Sequence, residues 1–152
     1  MEITKLDQSG LDFLAKEEGC ILKPYLDSVG IPTIGIGMTY YPSTGVKVKM
    51  SDPAITKQQA YEMFNEMVKP YCLAVYSTTR DDLTQNQFNA CVSLAYNIGT
   101  GGFKGSTAHR LINAKVSGEQ LKTAWLAWCK AGGKVNLSLK ERRVREFNLY
   151  SK

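Results

Sequence analysis

Three side chains near the amino terminus have the types and spacing of a hydrolytic site. At 100° per residue, Leu14 and Ala15 mark one stripe of a predicted first helix, and Glu18 falls in the centre of that stripe. Burial favours the protonated form of a carboxyl, which a general acid needs near neutral pH. Glu17 lies about 100° away and is expected nearer to solvent, so Glu18 is the better candidate acid. The alternative is that Glu18 merely ends the helix and pairs with an arginine.

A second carboxylate and a hydroxyl follow in the next segment. Gly19 can end the helix in a left-handed conformation, and Lys23 to Asp27 then form a predicted strand that returns past the helix end. Asp27 stands at the turn and Thr33 begins the returning strand, so the two side chains can hold a water between them. Two carboxyls of unlike environment with a held water make a hydrolytic site. An ordinary turn residue is the open alternative for Asp27.

Repeated helix starts predict the elements that position these side chains. In a capping box, a Ser or Thr is followed three residues later by Gln or Glu, and the two side chains satisfy the first free N–H groups. Such boxes predict helices that open at Thr56, Thr84, Ser117 and Ser138, and Ser9 with Asp12 in the third place predicts another. A further short helix is predicted to start near Ser106. Pro70 lies inside the second helix, which is expected to kink there or to end near Lys69.

Strand formers are concentrated between Cys20 and Tyr41, where glycines punctuate them, and this predicts a small antiparallel hairpin. A short helix, a hairpin and then a run of helices make an α+β protein, mostly helical, with its sheet near the amino terminus. The 152 residues suffice for a single domain in two lobes. We expect an amino-terminal lobe over about 10–55, a connecting helix over about 56–78 and a carboxy-terminal helical lobe over about 82–152.

Composition narrows the classes of function. The net charge of +5 favours an anionic partner. The sequence has no run of 18 apolar residues, so no membrane span is predicted. His109 is the only histidine, and the four cysteines form no CxxC pair, so neither a metal site nor a cofactor is expected. Free, buried thiols are expected for Cys20, Cys72, Cys91 and Cys129. The first ten residues lack the basic start and apolar stretch of a secretory signal.

Three blocks in order resemble one family. The segment from Glu18 to Asp27, followed by Thr33 and Gly-Ile-Gly, resembles the catalytic segment of the phage lysozymes of glycoside hydrolase family 24, in which Glu, Asp and Thr stand nine and then six positions apart. Two later blocks are similar to the lambdoid branch of that family: Tyr96 to Gly99 with Phe103, Ser106 and Thr107, and Ala131 to Gly133 with Arg142, Arg143 and Glu146.

The resemblance implies a two-lobed lysozyme-like fold and a muramidase that cleaves the β-1,4 bond between N-acetylmuramic acid and N-acetylglucosamine in peptidoglycan. On the family pattern, Glu18 protonates the leaving oxygen while Asp27 and Thr33 position water, and the anomeric carbon is inverted. Inversion needs carboxyl groups about 6.5 to 9.5 Å apart, whereas a retaining enzyme with Asp27 as nucleophile needs about 5 to 5.5 Å.

The resemblance also implies substrate-binding residues. Asn97, Phe103 and Ser106 match positions that line the saccharide cleft, and Arg142 matches an arginine near the catalytic acid, with Arg143 as its rival. Each has a packing alternative: Asn97 can cap a turn, Phe103 can be core and Ser106 can cap a helix. Trp125 and Trp128 are expected in the core rather than as a sugar platform. Lys47 and Lys49, in a basic loop over Tyr40–Lys49, are expected to be solvated, with contact to wall polymer as the alternative.

The expected partner is bacterial peptidoglycan. We expect the protein to be a monomer that neither binds nucleic acid nor inserts into a membrane. An enzyme made in the host cytoplasm without a signal needs a membrane pore, so we expect a holin-dependent endolysin. Two alternatives remain within the family: an inactive peptidoglycan-binding relative, and a tail-associated or effector muramidase. A basic helical module that binds nucleic acid is disfavoured because the basic residues are spread along the chain.

Overall fold

The computed structural model describes residues 2–152, which form seven helices and four short strands. The α+β class and the amino-terminal antiparallel hairpin are confirmed. The helices are α1 Gln8–Glu18, α2 Lys57–Thr78, α3 Gln85–Ile98, α4 Thr100–Lys104, α5 Thr107–Asn113, α6 Glu119–Leu126 and α7 Leu137–Tyr150. The strands are β1 Ile21–Leu26 and β2 Pro32–Gly35, which pair with each other, and β3 Lys130–Ala131 and β4 Lys134–Val135, which form a second hairpin.

The chain divides into two compact units. Residues 11–69, called the hairpin unit, hold the β1–β2 hairpin over a core that includes Leu14, Ile34, Met38 and Phe64, all fully buried. Residues 2–10 with 70–152 are called the helical unit. There α3 packs along α7, and the Trp125 ring meets Tyr150 with centroids 5.3 Å apart.

Three predicted helix starts are confirmed. Thr56 and Thr84 form reciprocal capping boxes with Gln59 and Gln87. Ser106 caps α5, since its Oγ accepts a hydrogen bond from the N–H of His109.

The other three predicted starts are wrong by one or two residues. Helix α1 is capped by Asp7, whose Oδ1 accepts a hydrogen bond from Gly10 N, and α7 is capped by Asn136. Helix α6 begins after Gly118 without a side-chain cap. Asp and Asn cap at least as well as Ser, so an earlier Asp or Asn takes the role from Ser9 and Ser138.

Of the two alternatives at Pro70, the end near Lys69 is excluded, because α2 continues through Pro70 to Thr78. Glu66, whose carbonyl loses its N–H partner, is exposed and can be hydrated. Two further expectations need correction. Trp125 is buried as predicted, but Trp128 is 37% exposed because α6 already ends at Leu126. The cysteines are free thiols, but only Cys72 and Cys91 are buried.

The basic loop over Tyr40–Lys49 is ordered by one carboxylate. Asp52 Oδ2 accepts hydrogen bonds from the Tyr41 hydroxyl at 2.8 Å and from Lys49 N at 2.9 Å. Burial and this contact with Asp52 raise the pKa of Tyr41 to about 12. Lys47 and Lys49 are exposed, and their contact with wall polymer stays a prediction. Within residues 2–152 no helix is long and apolar enough to cross a bilayer.

Asp7 ties the start of α1 to α3. Its Oδ1 also accepts hydrogen bonds from Ser9 Oγ at 2.8 Å and from Asn89 Nδ2 at 2.9 Å. Burial alone would raise the pKa of Asp7, but the hydrogen bonds from Gly10, Ser9 and Asn89 outweigh it, so this pKa is lowered. A carboxyl with a lowered pKa in the folded state contributes stability above its unfolded pKa, about 3.9, and loses it as the pH falls through the folded value.

We therefore predict that Asp7→Ala lowers the free energy of unfolding by about 1 kcal/mol at neutral pH, the usual cost of a lost cap. The melting temperature should fall by about 2 to 4 °C for a chain of this size. Asp7→Asn is the matched control, because it keeps the acceptor oxygen and loses the charge: it should retain most of the stability and remove the acid-dependent part. Thermal melts at pH 7 and pH 3 measure both, and an unchanged Asp7→Ala protein would contradict the assignment.

Candidate active site

Glu18 is the last residue of α1, where the chain reverses into the hairpin. Gly19 takes a left-handed conformation with φ +81° and donates its N–H to the Ala15 carbonyl at 2.9 Å, which closes the helix. Leu14 and Ala15 are buried as predicted, but Glu18 is only half-buried, as is Glu17. Glu18 is therefore not fully buried, because it is the last residue of the helix; that Glu17 lies nearer to solvent stays a prediction.

Asp27 holds the turn between β1 and β2. Its Oδ1 accepts hydrogen bonds from Val29 N and Ile31 N, both at 2.9 Å, while Gly30 N donates to the Asp27 carbonyl at 3.0 Å. Oδ2 accepts no hydrogen bond from any residue between 2 and 152. The turn role that the sequence left open is therefore present, and it occupies only one of the two carboxylate oxygens.

Thr33 lies across the hairpin from Tyr25 and is only 2% exposed. Its Oγ1 donates to the Ile31 carbonyl at 2.9 Å. Since a carbonyl oxygen can only accept, the hydroxyl proton is committed to Ile31, and the oxygen lone pairs remain as acceptors. A water beside Thr33 would therefore donate to this hydroxyl.

Tyr25 joins the two candidate carboxylates and was missed as a site residue. Burial, then the negative charge of Asp27 and that of Glu18, raise the pKa of the Tyr25 phenol. The negative charges of both carboxylates therefore act on one phenol. Two signals in the sequence point to Tyr25: it stands two positions before Asp27 on a predicted strand, and side chains two apart share a face.

The residues expected to bind substrate lie in the helical unit. Asn97 is exposed near the end of α3, and its Oδ1 accepts a hydrogen bond from Arg143 Nη2. Phe103 is fully buried with its ring 4.9 Å from that of His109, which is the packing alternative. Ser106 caps α5 and is 6% exposed. It also borders a pocket of about 460 Å³ whose wall includes Thr107, Gln120, Thr123 and Trp128.

Arg142 and Arg143 both pair with one buried carboxylate. Arg142 Nε lies 3.2 Å from Glu146 Oε2, and Arg143 Nη1 lies 3.0 Å from Glu146 Oε1. Glu146 is fully buried and also accepts hydrogen bonds from Ser93 Oγ at 2.5 Å and from Trp125 Nε1 at 3.2 Å. A buried carboxylate held by two guanidinium groups and two neutral donors is a paired charge rather than an isolated one.

The same network explains which arginine reaches Asn97. Arg142 turns to the α3 backbone, where its Nη2 donates to the Ser93 carbonyl at 3.4 Å, whereas Arg143 donates to the Asn97 side chain. The positions of Arg142 and Arg143, four and three residues before Glu146, signal the pairing on α7. Nothing local in the sequence signals Ser93 or Trp125 as further partners. In the part of the chain from residue 2 to 152, no group of three His, Cys, Asp or Glu side chains is arranged to hold a metal.

The chain is similar in sequence and in fold to phage lysozymes and endolysins. The family model described as "Phage lysozyme" matches residues 15–146. The endolysin of Salmonella phage P22 is 37% identical over 139 residues, which cover 91% of this chain and 93% of that protein. Among solved structures, an endolysin from Escherichia coli O157:H7 phage FAHEc1 aligns with a TM-score of 0.88 at 34% identity, over 99% of this chain and 96% of that one. The muramidase domain of SpmX from Asticaccaulis excentricus aligns with a TM-score of 0.81 at 26% identity, over 99% of each chain.

Proposed function

Since the chain belongs to the phage lysozyme family, a family of glycoside hydrolases, we propose that it is a muramidase with Glu18 as general acid. Its substrate is the β-1,4 bond between N-acetylmuramic acid and N-acetylglucosamine in bacterial peptidoglycan. The observation that carries the proposal is the geometry of the hairpin: Asp27 Oδ2 accepts no hydrogen bond from residues 2–152, and the Thr33 hydroxyl, which donates to Ile31, keeps its lone pairs as acceptors. The names of similar proteins, endolysin and muramidase domain, support the substrate.

The chemistry follows from the acceptors that the hairpin leaves open. Glu18 gives its proton to the glycosidic oxygen, which departs as the hydroxyl of N-acetylglucosamine. A water donates one hydrogen to Thr33 Oγ1 and the other to Asp27 Oδ2, so that a lone pair of the water oxygen is left to attack the anomeric carbon. Asp27 takes the proton as the new bond forms. Attack opposite the departing oxygen inverts the anomeric carbon, which is the outcome for carboxyl groups about 6.5 to 9.5 Å apart.

On the substrate side, we propose that Asn97 is a hydrogen-bond donor oriented by Arg143. The guanidinium of Arg143 is fully buried and paired with Glu146, and it binds the side-chain oxygen of Asn97. The amide nitrogen is then the end of Asn97 that can face a ligand, and it suits a carbonyl such as that of an N-acetyl group. Arg142 contributes positive charge from a fixed, buried position. Ser106 borders the pocket of about 460 Å³, which we propose receives part of the substrate. Phe103 supports Ser106, whose Oγ donates to the Phe103 carbonyl at 2.7 Å.

The setting proposed is that of an endolysin. The protein is made in the host cytoplasm, acts as a monomer and reaches the wall after a holin permeabilises the membrane, without nucleic acid as partner. A tail-associated or effector muramidase would share the same site. An inactive peptidoglycan-binding relative is the second function, and the acceptors left open on Asp27 and Thr33 favour the active enzyme over it.

We predict that Glu18→Gln slows the clearing of purified peptidoglycan by about 10² to 10⁴, the usual contribution of general acid catalysis. Glu17→Gln is the matched control, since Glu17 is half-buried at the same helix end, and it should clear within a few-fold of the wild-type rate. Mass analysis of the products should find reducing muramic acid ends. Equal clearing by wild type and Glu18→Gln would remove Glu18 as the acid, and binding without clearing by the wild type would favour the inactive relative.

Asn97→Asp separates the proposed donor role from a packing role. Aspartate keeps an oxygen for Arg143 but has no N–H to offer, so KM for a soluble muropeptide oligomer should rise about tenfold, the order of one lost hydrogen bond. The melting temperature should not fall. Asn148→Asp, an exposed site on α7, makes the same charge change and should leave KM unaltered. An unchanged KM for Asn97→Asp would show that the side chain only supports Arg143.

A further inference from the structure

The second hairpin exposes aliphatic and cationic side chains together. We call residues 128–140 the lysine hairpin. Strands β3 and β4 are exposed throughout, and Lys130 pairs with Val135 across them, so these two side chains share a face. Val135 is 65% exposed and Leu137 is 68% exposed. Two large aliphatic side chains are thus presented to solvent within three residues of each other.

This segment carries an excess of positive charge, and the first acidic residue after it is Glu141, next to Lys140. Lys130, Lys134 and Lys140 are exposed, and no acidic residue lies between positions 128 and 140. None of the three takes part in an ion pair with any residue from 2 to 152. The lysine hairpin therefore carries a charge of about +3, which attracts it to an anionic surface.

The backbone holds these side chains outward. Gly132 and Gly133 take φ of +58° and +80°, which suits a two-residue turn between short strands. At its base, Asn136 N donates to the Cys129 carbonyl at 2.7 Å, and the Asn136 side chain accepts from Leu139 N at 3.0 Å. The segment is fixed at both the turn and the base, so exposure of Val135 and Leu137 is built into the fold rather than the result of a loose loop.

We propose that the lysine hairpin docks on the surface of an anionic lipid bilayer. Lysines attract acidic headgroups, while short aliphatic side chains gain by entering the boundary between headgroups and acyl chains. Trp128, 37% exposed at the start of the segment, has the amphipathic ring that this boundary favours. An anionic wall polymer would use the lysines but would gain little from Val135 and Leu137, so the combination favours lipid. Trp128 also lines the pocket beside Ser106, but the lysines, Val135 and Leu137 have no part in the proposed muramidase site, so the docking proposal is tested on residues outside that site.

The test is co-sedimentation of the full chain with vesicles of phosphatidylcholine, with and without phosphatidylglycerol. The wild type should partition into the anionic vesicles and not into the pure phosphatidylcholine ones. Lys130→Gln with Lys134→Gln should weaken partitioning about 25-fold, about fivefold for each lysine near the surface. Val135→Ser with Leu137→Ser should weaken it by about tenfold through lost apolar burial.

Matched changes elsewhere serve as controls. Leu73→Ser replaces a 64% exposed aliphatic residue on α2, and Lys104→Gln with Lys152→Gln removes the same charge from other exposed sites. These control variants should partition within about twofold of the wild type, because salt screens charges that lie far from the bilayer surface. Melting temperatures and peptidoglycan clearing check that all variants are folded. The proposal is overturned if anionic vesicles do not bind the wild type, if the controls weaken binding equally, or if the serine pair has no effect while the lysine pair weakens binding to purified wall polymer.

Discussion

One oxygen of Asp27 anchors the site. Its Oδ1 accepts two backbone N–H groups of the turn, and bonds from N–H groups to a carboxylate are stronger than neutral ones. Ile31 is the common point: its N–H binds Asp27, and its carbonyl accepts both the Asp27 N–H and the Thr33 hydroxyl. The two groups proposed to hold water are therefore oriented through one residue, whose side chain is exposed and takes no part. Asp27 Oδ2 and the lone pairs of Thr33 Oγ1 can only accept hydrogen bonds. A water between them must therefore donate both of its hydrogens, which fixes its orientation.

The helical unit depends on a different constraint, the burial of Glu146. A buried charge is costly unless paired and hydrogen-bonded, and removal of one partner leaves the other uncompensated. Glu146 has two guanidinium groups and two neutral donors around it, so α3, α6 and α7 are joined at one carboxylate. The arrangement also fixes Arg143, which holds an exposed amide. A stabilising network and a proposed binding group therefore share one side chain.

Local signals predict much of the fold, and competition between local signals explains the errors. The boxes at Thr56 and Thr84 are confirmed, whereas Asp7 and Asn136 take the role from the nearby Ser9 and Ser138. Asp82 also stands two residues before Thr84, but its carboxylate pairs with Arg80 and Lys115, so the threonine keeps the cap. Trp128 was expected in the core because its spacing from Trp125 matches a helix face, but the helix stops first. The α+β class and the hairpin followed from β-branched residues and glycine, which have strong local preferences.

The candidate site divides in the same way. Glu18, Asp27 and Thr33 lie close in sequence, so their spacing and their resemblance to a family were enough to select them. The link from Arg143 to Asn97 spans 46 positions, and no local pattern reports such a pair. Tyr25 was visible through strand alternation, yet its importance depends on two charges that only the folded hairpin brings near it. Contacts between residues far apart in the sequence, and the electrostatic effects of such contacts, could not be predicted from one sequence.

The stereochemistry of the first product tests the central claim, that Asp27 holds a water rather than attacking the sugar. Proton magnetic resonance of a cleaved oligosaccharide, recorded before mutarotation, measures the configuration of the new muramic acid end. We expect the α-anomer, produced by water that enters opposite the departing oxygen. The β-anomer as first product would contradict it, because retention requires Asp27 as nucleophile with the carboxyl groups only about 5 to 5.5 Å apart.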